Sequence, residues 1–121
     1  MTPTEKLLRE LIALPSVNPA FLPAGDPRAG EQRIAEFLLA VAAQAGLDVE
    51  LQAVSPGRPN LVAHLRPSGQ IRRRVLLAPH LDTVGGEPFS PTLFDPVTKN
   101  GRLHGRGACD TKGSVAAMLS A

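Results

Sequence analysis

Residues 75–82 read VLLAPHLD, four apolar residues followed by proline, histidine, leucine and aspartate. The run from Val75 to Ala78 has no polar face, which is typical of a central strand that helices cover on both sides of a parallel or mixed sheet. Side chains two apart in an extended chain point to the same side, so we expect His80 and Asp82 to project together. Ligands of open α/β sheets gather at the carboxyl ends of strands. The stretch therefore predicts an α/β fold with a functional site at its end.

Two helices and two strands are predicted on the N-terminal side of this stretch. A capping-box sequence followed by apolar residues at helical spacing predicts a short helix over residues 2–15, ended by a proline. An apolar stripe predicts a second helix over residues 34–45, with a glycine placed to terminate it. Alternating apolar and polar residues predict strands at 49–53 and 61–65. These elements would flank the central strand.

The C-terminal part of the chain combines a turn, a glycine-rich loop and the start of a helix. Asn100-Gly101 predicts a hairpin turn. Residues 105–113, GRGACDTKG, form a loop whose glycines bracket Asp110, and a helical pattern runs from there to Ala121 without a cap or a polar tail. We therefore expect the chain to be cut off within a helix.

His80, Asp82 and Asp110 are the residues that could carry chemistry. A metal ion can bind one nitrogen of an imidazole while a carboxylate on the other nitrogen fixes the tautomer. A carboxylate in a glycine-rich loop can bridge two cations. Two structural interpretations compete with this one: His80 and Asp82 could form a surface ion pair or a capped turn, and Asp110 could cap the last helix.

Two motifs together resemble a known family. HLDTV at residues 80–84, followed after a loop by GRLHGRGACDTKG at residues 101–113, resembles the paired signature of the metallopeptidases that include acetylornithine deacetylase, succinyl-diaminopimelate desuccinylase, aminoacylase and glutamate carboxypeptidase. LPSVN at 14–18 and NLVA at 60–63 also resemble that family's N-terminal region. The resemblance covers nearly the whole chain.

The resemblance implies a role for each of the three residues. His80 would bind one zinc ion, Asp110 would bridge two zinc ions, and Asp82 would stand behind His80 as a catalytic carboxylate. The implied fold is a dinuclear zinc-hydrolase catalytic domain with a mixed, mostly parallel sheet flanked by helices, and residues 1–121 would be its truncated N-terminal part. The implied reaction is hydrolysis of an amide by a metal-activated water, with Co²⁺ as an alternative to Zn²⁺.

The chain does not contain several residues that complete the family's active site. The family's Glu-Glu pair with its general base, a later acidic ligand, a C-terminal histidine ligand and the dimerisation domain would all lie beyond residue 121. We therefore expect the isolated chain to be inactive and its full-length parent, which could be a homodimer, to act on a small N-acyl amino acid or a peptide. Within the family, the loop sequence resembles the acetylornithine deacetylase-like branch, which implies deacylation of an N-acyl amino acid. Carboxypeptidase or dipeptidase activity and a non-catalytic interaction module are the alternatives.

Composition excludes several other classes. A net charge of +2, and aromatic residues at 3% of the chain, do not suit a nucleic-acid or membrane-surface binder. The N-terminus does not resemble a signal peptide, and no apolar run approaches the roughly 18 residues of a membrane span. A single cysteine agrees with a reducing compartment, so a cytoplasmic protein is expected.

The remaining polar residues near the motifs are assigned structural roles. Cys109 is interpreted as a small buried thiol, because no base accompanies it. His104 is expected to be a packing or rim residue, His64 an exposed residue on a strand, and Glu87 a loop residue that does not replace the missing base. A phosphate-binding loop is rejected because Asp110 would place negative charge where the phosphate should lie.

Overall fold

The computed structural model describes residues 1–86 and 90–121. It contains three helices, α1 (Pro3–Ile12), α2 (Gln32–Gln44) and α3 (Gly113–Ser120). Four strands, β1 (Asp48–Ser55), β2 (Arg58–His64), β3 (Val97–Lys99) and β4 (Arg102–His104), form two separate antiparallel pairs. Short helical turns occur at Pro19–Phe21, Pro91–Phe94 and Ala108–Lys112. The predicted α/β class is confirmed.

The ends of α1 and α2 form as the sequence predicts. At the start of α1 the Glu5 N–H donates to Thr2 Oγ1 over 3.1 Å, and the Thr2 N–H donates back to Glu5 Oε2 over 2.9 Å. After α2 the N–H groups of Gly46 and Leu47 bond to the carbonyls of Ala43 and Ala42. This is a Schellman cap, and Gly46 suits it because its φ is +86°. The start of α1 and the end of α2 are therefore set by local chemistry, whereas at the start of α2 the N–H groups of Glu31 and Gln32 bond to the distant Gly57 carbonyl.

The core lies where α1, α2 and α3 meet. Its buried apolar members are Leu7, Leu11, Ile34, Leu38, Val115 and Ala116. Helix α2 also packs on the β1–β2 hairpin, in which Leu51 pairs with Leu61 and Val49 with Ala63. The packing of α1 against α3 joins the two ends of the described chain.

The predicted central strand is not formed, which corrects the sequence analysis. Residues 75–78 belong to no strand, and Val75, Leu76 and Leu77 are 84%, 87% and 57% exposed. A strand that is buried on both faces needs hydrogen-bonded neighbours and covering layers, and the described residues supply neither here. The mostly parallel sheet is therefore not confirmed. The parallel contacts among the described residues are isolated bridges of Val17 with Ala29 and with Thr83.

The Asn100-Gly101 turn forms as predicted. The two residues have φ values of +51° and +71°, and they connect β3 to β4 in an antiparallel hairpin. Within the described residues, no helix has the length and apolarity needed to cross a bilayer.

Candidate metal centre

The His80 imidazole lies between two carboxylates. Its Nε2 is 2.9 Å from Asp110 Oδ1, and its Nδ1 is 3.0 Å from the carbonyl oxygen and 3.2 Å from Oδ1 of Asp82. The side chain of Asp82 is 30% exposed, whereas that of Asp110 is 84% exposed. The structure thus brings together the three residues that the sequence singled out, with Asp82 on the inner side of the ring and Asp110 on the outer side.

The surroundings of His80 change its affinity for protons. Partial burial lowers the pKa of the imidazole, but the hydrogen bonds with Asp110 and with the Asp82 backbone, together with the charges of both aspartates, outweigh burial and raise that pKa. Both ring nitrogens face acceptors, so the arrangement favours the doubly protonated ring. A cation that binds at Nε2 must displace the proton there, while the Nδ1 proton can stay with Asp82.

Asp110 is held by an irregular turn and not by the start of α3. The N-cap position of α3 is Lys112, and no side chain caps this helix. Asp110 has an extended backbone within the turn Ala108–Lys112 and directs its carboxylate to His80. The helix-capping interpretation of Asp110 is therefore wrong, because the turn separates it from the first helical residues.

Gly107 makes this turn possible. Its φ is +84°, and a Cβ built on it would lie 2.9 Å from Thr83 Cγ2 and 3.0 Å from Lys112 Cδ. A side chain at this position would meet both a backbone penalty and a steric one. The glycine allows the 105–113 loop to pack directly on the segment that carries His80.

Lys112 anchors the loop to α1 and was not identified from the sequence. Its side chain is 1% exposed, and Nζ donates to the carbonyl oxygens of Leu11 and Leu14 over 2.7 and 2.8 Å. Burial lowers the pKa of Lys112 to about 8. The ammonium satisfies carbonyls at the C-terminal end of a helix, where no intrahelical donor is available. No local signal in the sequence marks this partner, which is about a hundred residues away.

The segment after α1 holds the other half of the site. Buried Ser16 donates from Oγ to the Leu81 carbonyl over 2.7 Å, and its backbone carbonyl accepts from the Thr83 N–H over 3.0 Å. The Asn18 N–H donates to the Thr83 carbonyl over 2.9 Å, and Asn18 Nδ2 donates to Asp82 Oδ2 over 3.0 Å. Residues 11–18 therefore contact both the His80 segment and, through Lys112, the Asp110 loop.

Within the described residues, the other polar side chains that the sequence singled out form no hydrogen bond with the three site residues, but one of them, Cys109, lies beside these residues. Cys109 is exposed and, with His80 and Asp110, lines a cavity of about 270 Å³, so its interpretation as a buried thiol is wrong. The irregular turn explains this, because it directs the side chain outward. His64 is exposed, as expected. His104 is also exposed, which agrees with a rim position and not with a packing one, and Glu87 lies outside the described residues.

The donor set suits zinc in type but not in number. An imidazole nitrogen and a carboxylate oxygen converge, and both are ordinary zinc ligands. Within residues 1–86 and 90–121, no group of three or more His, Cys, Asp or Glu side chains could hold a metal ion. Zinc sites use about three or four protein ligands, so His80 and Asp110 could form only part of one.

Comparisons with known proteins agree with the resemblance seen in the sequence. Residues 76–121, which contain all three site residues, match the family described as Peptidase family M20/M25/M40. The chain is 39% identical over 94 residues to a Peptidase M20 domain-containing protein of Schizosaccharomyces pombe, a match that covers 75% of this chain and 22% of that protein. It is 35% identical over 126 residues to a succinyl-diaminopimelate desuccinylase of Variovorax paradoxus, covering 98% of this chain and 30% of that protein.

A second desuccinylase gives a similar match. The succinyl-diaminopimelate desuccinylase of Methylobacterium sp. (strain 4-46) is 37% identical over 124 residues, which cover 95% of this chain and 28% of that protein. The chain thus spans less than a third of the length of these curated relatives. On the family match and these relatives together, the chain belongs to peptidase family M20/M25/M40.

Proposed function

We propose that this chain contributes His80 and Asp110 as ligands to the metal site of an amide hydrolase, with Asp82 orienting His80. One observation carries the proposal: the His80 ring is placed between the two carboxylates, with Nε2 2.9 Å from Asp110 and Nδ1 3.2 Å from Asp82. A metal ligand whose second ring nitrogen contacts a carboxylate is the usual arrangement of histidine in zinc sites. Members of this family are generally metal-dependent, which supports the same assignment.

Each of the three residues has a defined task in this proposal. The Nδ1–H of His80 donates to the backbone carbonyl of Asp82 and lies beside its carboxylate, so that the proton stays on Nδ1 and Nε2 is the basic nitrogen that would face the metal. Asp110, on a loop that Gly107 and Lys112 hold in place, supplies the carboxylate that would bridge two ions. When bound, the zinc or cobalt ions would lower the pKa of a water molecule and stabilise the oxyanion that its attack produces. The further ligands and the general base would come from polypeptide outside residues 1–121.

The proposed substrate is an N-acyl amino acid. Relatives from several bacteria are named succinyl-diaminopimelate desuccinylase, a name that describes removal of an acyl group from an amino nitrogen. This supports deacylation in general, and an N-succinyl substrate ranks at least as high as the N-acetylornithine that the loop sequence favours. Both substrates carry an amide next to an α-carbon, so the same metal-bound water could attack either.

The test is metal content and amide hydrolysis by the full-length product of the reading frame, beside the 121-residue chain. We expect the full-length protein to bind about two metal ions and to hydrolyse N-succinyl or N-acetyl amino acids, whereas the shorter chain does neither well. His80→Ala should lose a metal ion and nearly all activity, and exposed His64→Ala is the matched control that should lose neither. A full-length protein that binds no metal and hydrolyses no amide would reject the proposal in favour of a non-catalytic interaction module.

A further inference from the structure

Asn18 contacts Asp82, and the roles proposed for His80, Asp82 and Asp110 give Asn18 no part in the site. It follows α1 and is half-buried, and its side-chain amide lies against the Asp82 carboxylate, with Nδ2 3.0 Å from Oδ2. The other carboxylate oxygen of Asp82 is the one that contacts His80. The carboxylate is therefore held at both oxygens, by an amide on one side and an imidazole on the other.

The orientation of the Asn18 amide is fixed by a second bond. The Ala20 N–H donates to Asn18 Oδ1 over 3.0 Å, so the oxygen end of the amide is already assigned to the short turn Pro19–Phe21. The amide nitrogen must then face Asp82. The backbone of Asn18 is tied as well, because its N–H bonds to the Thr83 carbonyl and its carbonyl accepts from the Phe21 N–H. The donor is thus presented to Asp82 by a rigid frame.

We propose that Asn18 is a positioning residue that fixes the Asp82 carboxylate, and through it the ring of His80, for metal binding. The inference rests on the proposed function, because positioning matters only if His80 binds a metal. An amide suits the task for two reasons: it donates a hydrogen bond to Asp82 and it carries no charge. The amide therefore holds one oxygen of the Asp82 carboxylate without placing a further charge beside the oxygen that contacts His80.

Two substitutions separate positioning from turn formation. Asn18→Asp keeps the size of the side chain and the ability to cap the turn, because aspartate caps as well as asparagine. It replaces the donor with a carboxylate oxygen about 3 Å from Asp82, where like charges repel. Asn18→Ser also keeps a capping oxygen, but its side chain is too short to place its donor against Asp82. Both variants should fold, and they should differ in how strongly they disturb Asp82.

The experiment measures Zn²⁺ affinity by competition with a chelator, on the full-length product. We expect Asn18→Asp to weaken Zn²⁺ binding by about 10- to 100-fold, which is the range for losing a partner behind a metal ligand, and Asn18→Ser to weaken it less. In the Asp82→Asn background, Asn18→Asp should cost almost nothing, because the donor and the acceptor have exchanged places. Equal losses of affinity in both backgrounds would overturn the proposal.

A metal-free measurement distinguishes this inference from the proposed function. In the zinc-free protein, the ¹⁵N and ¹H resonances of the His80 imidazole should move in Asn18→Asp, whereas the melting temperature should match that of Asn18→Ser. Unchanged imidazole resonances together with unchanged Zn²⁺ affinity would reject positioning and leave the proposed function standing. A wild-type protein that binds no Zn²⁺ would reject the function, and the imidazole resonances would then still decide whether Asn18 orients Asp82 and His80.

Discussion

In the proposed site, Asp82 would orient the ligand His80 without contacting the metal itself. It touches Nδ1 of His80 with one oxygen and Asn18 with the other. Asp82→Ala should weaken both metal binding and amide hydrolysis by about 10- to 100-fold, because Nδ1 of His80 loses its carboxylate partner and keeps only the backbone carbonyl of residue 82. Metal titration and steady-state rates of the full-length product check this. Wild-type values for both quantities would contradict the assignment of His80 and Asp82.

Asp26 gives a prediction about pH that is independent of the site. Its carboxylate accepts from Arg28 Nη2 over 2.7 Å and from Arg28 Nε over 2.9 Å, and these bonds lower the pKa of Asp26 to about 2. A carboxyl group whose pKa is lower in the folded state stabilises the fold above its unfolded pKa of about 4, and this contribution is lost as the pH falls toward 2. Urea unfolding at pH 5 and pH 2.5 should therefore show a difference between wild type and Asp26→Asn that shrinks at the lower pH. A constant difference would contradict the ion pair.

The residues of the site divide into those that a sequence can show and those that it cannot. His80, Asp82 and Asp110 could be predicted because they stand in two recognisable motifs, and the structure brings them together. Lys112 and Asn18 could not be assigned roles, because their partners are the carbonyls of Leu11 and Leu14 and a carboxylate more than sixty residues away. Such contacts exist only once the fold has formed.

At the scale of elements, Lys112 connects the Asp110 loop with the end of α1. Lys112→Met keeps most of the stem but removes the charged donor to the carbonyls of Leu11 and Leu14, and the Leu11 carbonyl then retains only backbone donors. We therefore expect the free energy of unfolding to fall by about 1–3 kcal/mol. Lys6→Met, at an exposed position of α1, is the control and should change the free energy of unfolding by less than about 0.5 kcal/mol. Urea denaturation compares the two. Equal effects would show that the bonds from Nζ do not stabilise the fold.

Gly107 and Gly25 form a natural pair for testing the loop. Both have a positive φ, +84° and +80°, but a Cβ at Gly107 would lie 2.9 Å from Thr83 whereas nothing lies within 4 Å of one at Gly25. Gly25→Ala should cost only the backbone penalty of about 1 kcal/mol, and Gly107→Ala should cost more because of the added contact. The difference in the free energy of unfolding measures that contact. A smaller cost for Gly107→Ala would mean that the loop is not packed on the Thr83 segment.

Elements with local determinants could be predicted, and the one that depends on distant partners could not. The capping box of α1, the glycine after α2 and the Asn100-Gly101 turn all act within a few residues, and all three form as expected. The run from Val75 to Ala78 has the composition of a buried strand, yet a strand requires neighbours, and no described residue pairs with it. The composition of a segment predicts the environment in which it would be stable. It does not predict whether neighbouring strands are present to form that environment.

For the whole molecule, this run leaves an apolar surface in contact with water. Val75, Leu76 and Leu77 are consecutive and exposed, in contrast to Val54, a single exposed valine on β1. Consecutive exposed apolar residues with unpaired backbone groups promote association between chains, whereas single ones are ordinary. We therefore expect the 121-residue chain to self-associate as its concentration rises, and Leu76→Asp to reduce that association far more than Val54→Asp does.

Sedimentation velocity over a wide range of protein concentrations tests this expectation. Two groups of residues act against each other: the apolar run favours association, and Arg72, Arg73 and Arg74 beside it oppose association through charge repulsion. Added salt screens the arginines and does not weaken the apolar contact, so association should increase with ionic strength. A chain that stays monomeric at all concentrations and at high salt would show that residues 75–78 need no partner. If the chain associates and Leu76→Asp abolishes the association, residues 75–78 form the contact between chains, in place of the neighbouring strand that the described residues lack.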